Sequence, residues 1–193
     1  MSNIRQEHPL YSGKFLLLNK LEYVDRHGRT RFWESADRVG GTARQDNAPS
    51  AVLILARIVP DNEILLVRQF RPPAGRPMIE FPAGLIDPGE DIETTAHREL
   101  YEETGYQGKF LFATDPGYSS PGLTGEAVVL CAMEIDGRNY KEIPENHQEE
   151  CEDIEVFRVP EQQLGDFIRQ QQKCGCGIDT KIQTFLAMKQ LGL

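Results

Sequence analysis

Residues 84–106 read GLIDPGEDIETTAHRELYEETGY. Asp87-Pro88-Gly89 has the composition of a tight turn. Asp91 suits an N-cap, because its carboxylate can accept from the free amides of a first helical turn. Gly105 suits the left-handed position just past a helix end. The spacing predicts a helix of about three and a half turns between them. It carries five acids: Asp91, Glu93, Glu99, Glu102 and Glu103.

The placement of those acids is informative. Glu99 and Glu103 are four apart and share one side of the helix, and Glu102 is three from Glu99. Like charges at that spacing repel. Glu102 and Glu103 also sit at the C-terminal end, where the helix dipole disfavours negative charge by roughly 0.3–1 kcal/mol each. Ile92, Ala96 and Leu100 repeat every four residues, so the acidic strip borders the buried face. Two readings follow. Either the strip is a solvated face with Arg98 paired to Glu102 at i,i+4, or it collects a hard divalent cation, which takes oxygen ligands.

At 193 residues, with 39% hydrophobic and 26% charged residues, the chain is one soluble globular domain with room for a small appendage. Its net charge of −9 argues against a nucleic-acid binder, which would show a basic footprint. An acidic protein also repels a phosphate ester, so such a substrate needs metal ions and local arginines to reverse the field. Residues 1–10 are polar and do not read as a signal peptide. The apolar run at 51–60 is interrupted by Arg57 and is too short to span a membrane. Cys131, Cys151, Cys174 and Cys176 lack zinc-site spacing and read as free thiols in a reducing cytoplasm.

Along the chain, residues 1–13 are polar and read as loosely ordered. Residues 14–24 and 29–35 read as a β-hairpin around Asp25-Arg26-His27-Gly28, bearing Phe15, Phe32 and the single tryptophan, Trp33. Trp33 is either core or a recognition surface. Residues 37–49 read as a polar loop. Residues 51–59 and 64–70 read as antiparallel strands, the second leaving through Arg68, Arg71 and Pro72-Pro73. These arginines are either surface charge or forked donors for phosphate. Residues 78–83 form a short strand feeding the acidic helix. Strands at 109–114, 126–134 and 154–159 follow, separated by a Gly/Ser/Pro-rich loop at 115–125 and an acidic connection at 136–152. Residues 161–172 and 179–191 read as amphipathic helices. The expected class is α/β.

Gly84, Glu90, Arg98-Glu99-Leu100, Glu102-Glu103 and Gly105-Tyr106 resemble the Nudix box at nine fixed positions over 23 residues. Tyr106 stands where an aliphatic residue is usual. The similarity runs from about Phe15 to Pro160 and looks like the ADP-ribose and ADP-sugar pyrophosphatase branch. It implies an α/β/α sandwich with a mixed sheet, here with an N-terminal antiparallel β-hairpin. Residues 1–49 would be the β appendage, serving dimerisation and base stacking, and residues 50–193 the hydrolase domain.

The resemblance also implies roles. Glu99, Glu102, Glu103 and the Ala83 carbonyl would hold Mg²⁺ or Mn²⁺. Arg98 would orient a box glutamate. Arg71 would contact the diphosphate, and Glu80 matches another acid on the substrate side. Trp33 would stack on the nucleobase, with Phe15 as a second ring, and Pro121 matches the branch's proline marker. Glu152 is the best match for the general base, with Glu149 and Glu150 close behind. The implied reaction is hydrolysis of a nucleoside diphosphate sugar, ADP-ribose giving AMP and ribose 5-phosphate, by a homodimeric cytoplasmic enzyme. GDP-mannose or another nucleotide sugar is an alternative substrate, and a non-hydrolysing ADP-ribose sensor is an alternative class.

Overall fold

The structure is a computed structural model and describes residues 3–39, 48–148 and 153–192. Among these residues the elements run β1 (Asn3–Ser12), β2 (Leu16–Val24), β3 (Thr30–Arg38), β4 (Ala51–Val59), β5 (Glu63–Arg71), β6 (Arg76–Glu80) and β7 (Ala83–Leu85). They continue through α1 (Ile92–Thr104), β8 (Lys109–Ala113), β9 (Gly117–Tyr118), β10 (Ala127–Asp136), β11 (Glu155–Pro160), α2 (Leu164–Lys173), β12 (Gly177–Ile178) and α3 (Thr180–Gln190). The chain divides into two compact units, Met1–Ala51 with Asp115–Val129, and Val52–Thr114 with Leu130–Leu193.

In the first unit, β1, β2 and β3 form an antiparallel sheet of three strands, where the sequence suggests a two-stranded hairpin. Residues 3–12 are a full strand and not a loose terminus. Their only residue out of full exposure is His8, so no apolar alternation marks them. Backbone pairing to β2 holds the strand, and pairing leaves no hydrophobic signature. One face of the sheet is buried through Asn19, Leu21, Ser35 and Asp37. The segment Gly117–Glu126 lies against β3: Ala36 N–H donates to Leu123 O at 2.9 Å, and Arg38 pairs with Glu126 at 2.9 Å.

In the second unit the sheet order is β12-β6-β5-β4-β10-β8, with β11 also on β5 and β7 on β4. The β12–β6 pair is parallel and β5 meets β4, β6 and β11 antiparallel, so the sheet is mixed. Leu53, Leu66, Ile79 and Phe81 are buried in one cluster with Leu164 and Ile168 of α2 and Ile182 of α3. Each such side chain contributes about 1.5–3 kcal/mol by leaving water. Residues of the other parity on β4, Val52, Ile54, Ala56 and Ile58, are fully buried on the opposite face. The helix α1 packs on β7 and β8 and contributes the fully buried Ala96 and Leu100. The second unit is thus the expected α/β/α sandwich.

Asp91 caps α1, its Oδ1 accepting from Thr94 N–H at 2.7 Å. Gly105 ends the helix at φ 72°, and a β-carbon there would also lie 2.2 Å from the Glu145 carbonyl oxygen. Asp179 caps α3 through Lys181 N–H at 2.7 Å. Cys131, Cys174 and Cys176 are free thiols, and burial pushes the Cys131 thiol up to about 11. Cys151 lies outside the described residues. No helix among the described residues is long and apolar enough to cross a membrane.

Candidate active site

The short strand β7 and the helix α1 lock together through two glutamates. Glu103 is 3% exposed, and its Oε2 accepts from Ala83 N–H at 3.0 Å. Glu99 lies across Gly84, where an added β-carbon would fall 1.8 Å from the Glu99 Cδ. Glycine is needed at 84 because a carboxylate occupies its side-chain space.

Arg98 organises the remaining acids. Its Nε donates to Glu90 Oε1 at 3.0 Å, and its Nη2 to Glu90 Oε2 at 2.9 Å. Its Nη1 reaches Glu99 Oε1 at 2.8 Å and Glu102 Oε2 at 2.9 Å. Nη2 also donates to Leu85 O at 3.0 Å. The Arg98–Glu102 pair foreseen as a surface i,i+4 contact is present, but inside a larger network. The hydrogen bonds from Arg98 pull Glu90 from its ordinary 4.5 to about 2. In return Glu90, then Glu102 and Glu99, hold the guanidinium charged well above its usual range.

These residues fit a divalent cation in kind and in charge. The donors are hard carboxylate oxygens, and one guanidinium faces Glu90, Glu99 and Glu102 together, leaving negative charge over. Among the described residues no three His, Cys, Asp or Glu side chains close around an ion by themselves. The fork of Arg98 stands between the acids instead.

Other sequence-assigned residues of this unit also pair. Arg71 Nε and Nη2 both meet Glu80 Oε2, at 2.9 and 2.8 Å. Arg68 is engaged elsewhere, with Glu155 on β11 and, at 3.5 Å, with Gln171. The acidic connection approaches the end of α1: His147 N–H donates to Glu102 O at 2.7 Å, and the His147 ring stacks on Tyr101 at 4.4 Å and 19°. Asn146 Nδ2 donates to Ile154 O at 3.0 Å, and Ile154 N–H to Gln148 Oε1 at 2.6 Å. Glu149, Glu150 and Glu152 lie outside the described residues. Tyr106, the departure from the box pattern, is fully buried against Tyr140 at 4.7 Å. Its aromatic body fills the usual aliphatic site, and burial raises its hydroxyl pKa.

Trp33 and Pro121 come together in the first unit. Both line a cleft of about 230 Å³ with Leu21, Tyr118, Leu123 and Thr124. Trp33 is 52% exposed, which removes the core reading, and its Nε1–H donates to Gly122 O at 3.0 Å. Phe15 is 68% exposed, with Lys14 Nζ 4.7 Å from its ring centre.

Four residues with no role assigned from the sequence, Glu90, Tyr101, His147 and Asp37, make contacts that the fold reveals. Glu90 was visible as a fixed box position, yet only the structure makes it the principal partner of Arg98. The Tyr101–His147 stack joins residues 46 apart in sequence, which no local pattern announces. Asp37 was placed in a polar loop and is instead buried at the end of β3.

Residues 47–173 match the family NUDIX domain. The chain is 38% identical to the ADP-ribose pyrophosphatase of Saccharomyces cerevisiae, over 88% of this chain and 74% of that protein. It is 33% identical to the ADP-sugar pyrophosphatase of Mus musculus, over 83% and 74%. A solved structure of an ADP compounds hydrolase superposes with a TM-score of 0.62 at 19% identity, over 87% of this chain and 83% of that one, and speaks for the fold. The chain belongs to the Nudix family. Within that family it is a hydrolase, with glutamates seated on strand β7 at the box positions.

Proposed function

We propose that the chain hydrolyses the diphosphate bond of ADP-ribose, or a closely related nucleoside diphosphate sugar, giving AMP and ribose 5-phosphate from the former. The observation that carries this reading is the seating of Glu99 and Glu103 on the backbone of β7, with Arg98 tying Glu99 to Glu90 and Glu102. The names of the yeast and mouse relatives support the substrate class.

Glu99, Glu102, Glu103 and the Ala83 carbonyl would hold Mg²⁺ or Mn²⁺. Such an ion supplies neutralising charge and Lewis acidity to the diphosphate when bound. The protein's own groups do the rest. Arg98 fixes the rotamers of Glu99 and Glu102, and the Ala83 amide fixes Glu103, so their oxygens need little reorganisation. Arg71, oriented by Glu80, donates to a diphosphate oxygen and holds charge on the leaving phosphate. A carboxylate of the acidic connection, Glu152 ahead of Glu149 and Glu150, takes the proton from the attacking water. In support, His147 of the same connection donates its N–H to Glu102 O of α1. Trp33, with Phe15 and Pro121, reads the base. The first unit also serves association, and the active species is a homodimer in the cytoplasm. Sedimentation showing only monomer overturns the homodimer.

A substrate panel tests the reading. Initial rates with Mg²⁺ are compared for ADP-ribose, ADP-glucose, GDP-mannose, NADH and diadenosine polyphosphates. A clear preference for ADP-ribose supports it. Preference for GDP-mannose keeps the chemistry and replaces the substrate. Tight ADP-ribose binding without turnover of any compound makes the chain a sensor.

A further inference from the structure

The first unit contains a buried carboxylate that none of the roles above uses. Asp37 is 1% exposed. Its Oδ2 accepts from Ser35 Oγ at 2.9 Å and Asn19 Nδ2 at 3.3 Å. Its Oδ1 accepts from Gly125 N–H at 2.9 Å and Thr124 Oγ1–H at 3.4 Å. One side chain therefore binds β2, β3 and the segment 117–126. Ser35, Thr124 and Gly125 all line the cleft beside Trp33 and Pro121, and Asp37 stands behind that wall. Two further bonds close the same seam, from Ala36 N–H to Leu123 O and from Trp33 Nε1–H to Gly122 O.

We propose that Asp37 is a positioning residue for base recognition: it fixes the segment carrying Pro121 at the distance from Trp33 that a flat nucleobase needs. The inference rests on the reading of this cleft as the base site. The chemistry calls for a carboxylate. Donor groups from three segments reach its two oxygens, and a carboxylate can accept from all of them at once. Truncation to alanine removes both acceptors, so the bonds from Gly125 N–H and Thr124 Oγ1–H to this side chain are lost and the segment is released.

Trp33 is the only tryptophan of the chain, so its fluorescence reports on this wall alone. The test compares Asp37→Ala with the unmodified protein in the ligand-free state and in steady-state assays on ADP-ribose. The expected result is red-shifted, more quencher-accessible Trp33 emission and a KM raised about tenfold, with kcat within about twofold. Unchanged emission overturns the proposal, as does a loss confined to kcat. If Asp37→Ala does not fold, Ser35→Ala removes one donor and keeps the carboxylate; it should shift emission in the same direction with a smaller rise in KM, and unchanged emission again overturns the proposal. Trp33→Ala separates the two layers. If it raises KM while a folded Asp37→Ala does not, the positioning role fails and the base site stands. If Trp33→Ala leaves KM unchanged, the base site itself fails.

Discussion

The Glu99 carboxylate occupies the space that a β-carbon on Gly84 would need, with its Cδ 1.8 Å from that position. The obstacle is the far end of a flexible side chain, so Gly84→Ala should fold by pushing Glu99 aside. Displacing a site group by about 1 Å can cost 10²-fold in rate. The expected outcome is kcat lowered by about that factor with little change in melting temperature. A variant with normal turnover would show that the seat of Glu99 does not matter to the reaction.

Glu90 and Arg98 give a signature in acid. Hydrogen bonds from Arg98 depress the Glu90 carboxyl to about 2 in the folded chain, against an ordinary 4.5. The stability from this group is therefore fully present above pH 4.5 and is lost as the pH falls through about 2. Glu90→Gln lacks that contribution at every pH. Melting temperatures of the two proteins should differ most above pH 4.5 and converge toward pH 2. A gap that stays constant across that range would contradict the assignment.

The stack of His147 on Tyr101 is a second long-range contact with a measurable consequence. Aromatic pairs of this kind are worth about 0.5–1.5 kcal/mol beyond their burial. If the stack positions the acidic connection, His147→Ala and Tyr101→Ala should each lower kcat several-fold, and the double variant should be little worse than either. His147→Phe should recover most of the loss. Fully additive losses would mean that the two rings act independently.

Asp91 offers a control in which stability changes without chemistry. Its side chain only caps the first turn of α1, through Thr94. Asp91→Ala should lower stability by about 1 kcal/mol and leave kcat and KM as they were. A large fall in kcat would show that the start of α1 takes part in the site.

Much of the second unit was legible because its signals are local. Asp91, Glu99, Glu103 and Gly105 lie within one helix and its caps, and their spacing alone orients them. The strands β4 and β5 read as apolar runs because both their faces are buried. The first unit was harder. Residues 3–12 bury almost nothing, so pairing with β2 formed a strand that no pattern foretold. Composition left Trp33 open between core and a recognition surface; it lines a cleft and its indole N–H donates to Gly122 O, across 89 residues of sequence. Asp37 sits at the end of a polar stretch, and only the fold brings Thr124 and Gly125 to it. The Arg98 fork was half legible: the pair with Glu102 follows from helical spacing, whereas the stronger one with Glu90 depends on the turn at 87–89.

The most direct measurement is AMP release from ADP-ribose by the unmodified protein and by Glu103→Gln, each with Mg²⁺, with a chelator, and with Mg²⁺ restored. Glu103→Gln keeps the shape of the side chain that accepts from Ala83 and removes its charge. The prediction is robust, metal-restorable turnover for the unmodified protein and a loss of about 10²-fold or more for the variant. Equal turnover by Glu103→Gln, or turnover indifferent to the chelator, would contradict a reaction centred on the acidic end of α1.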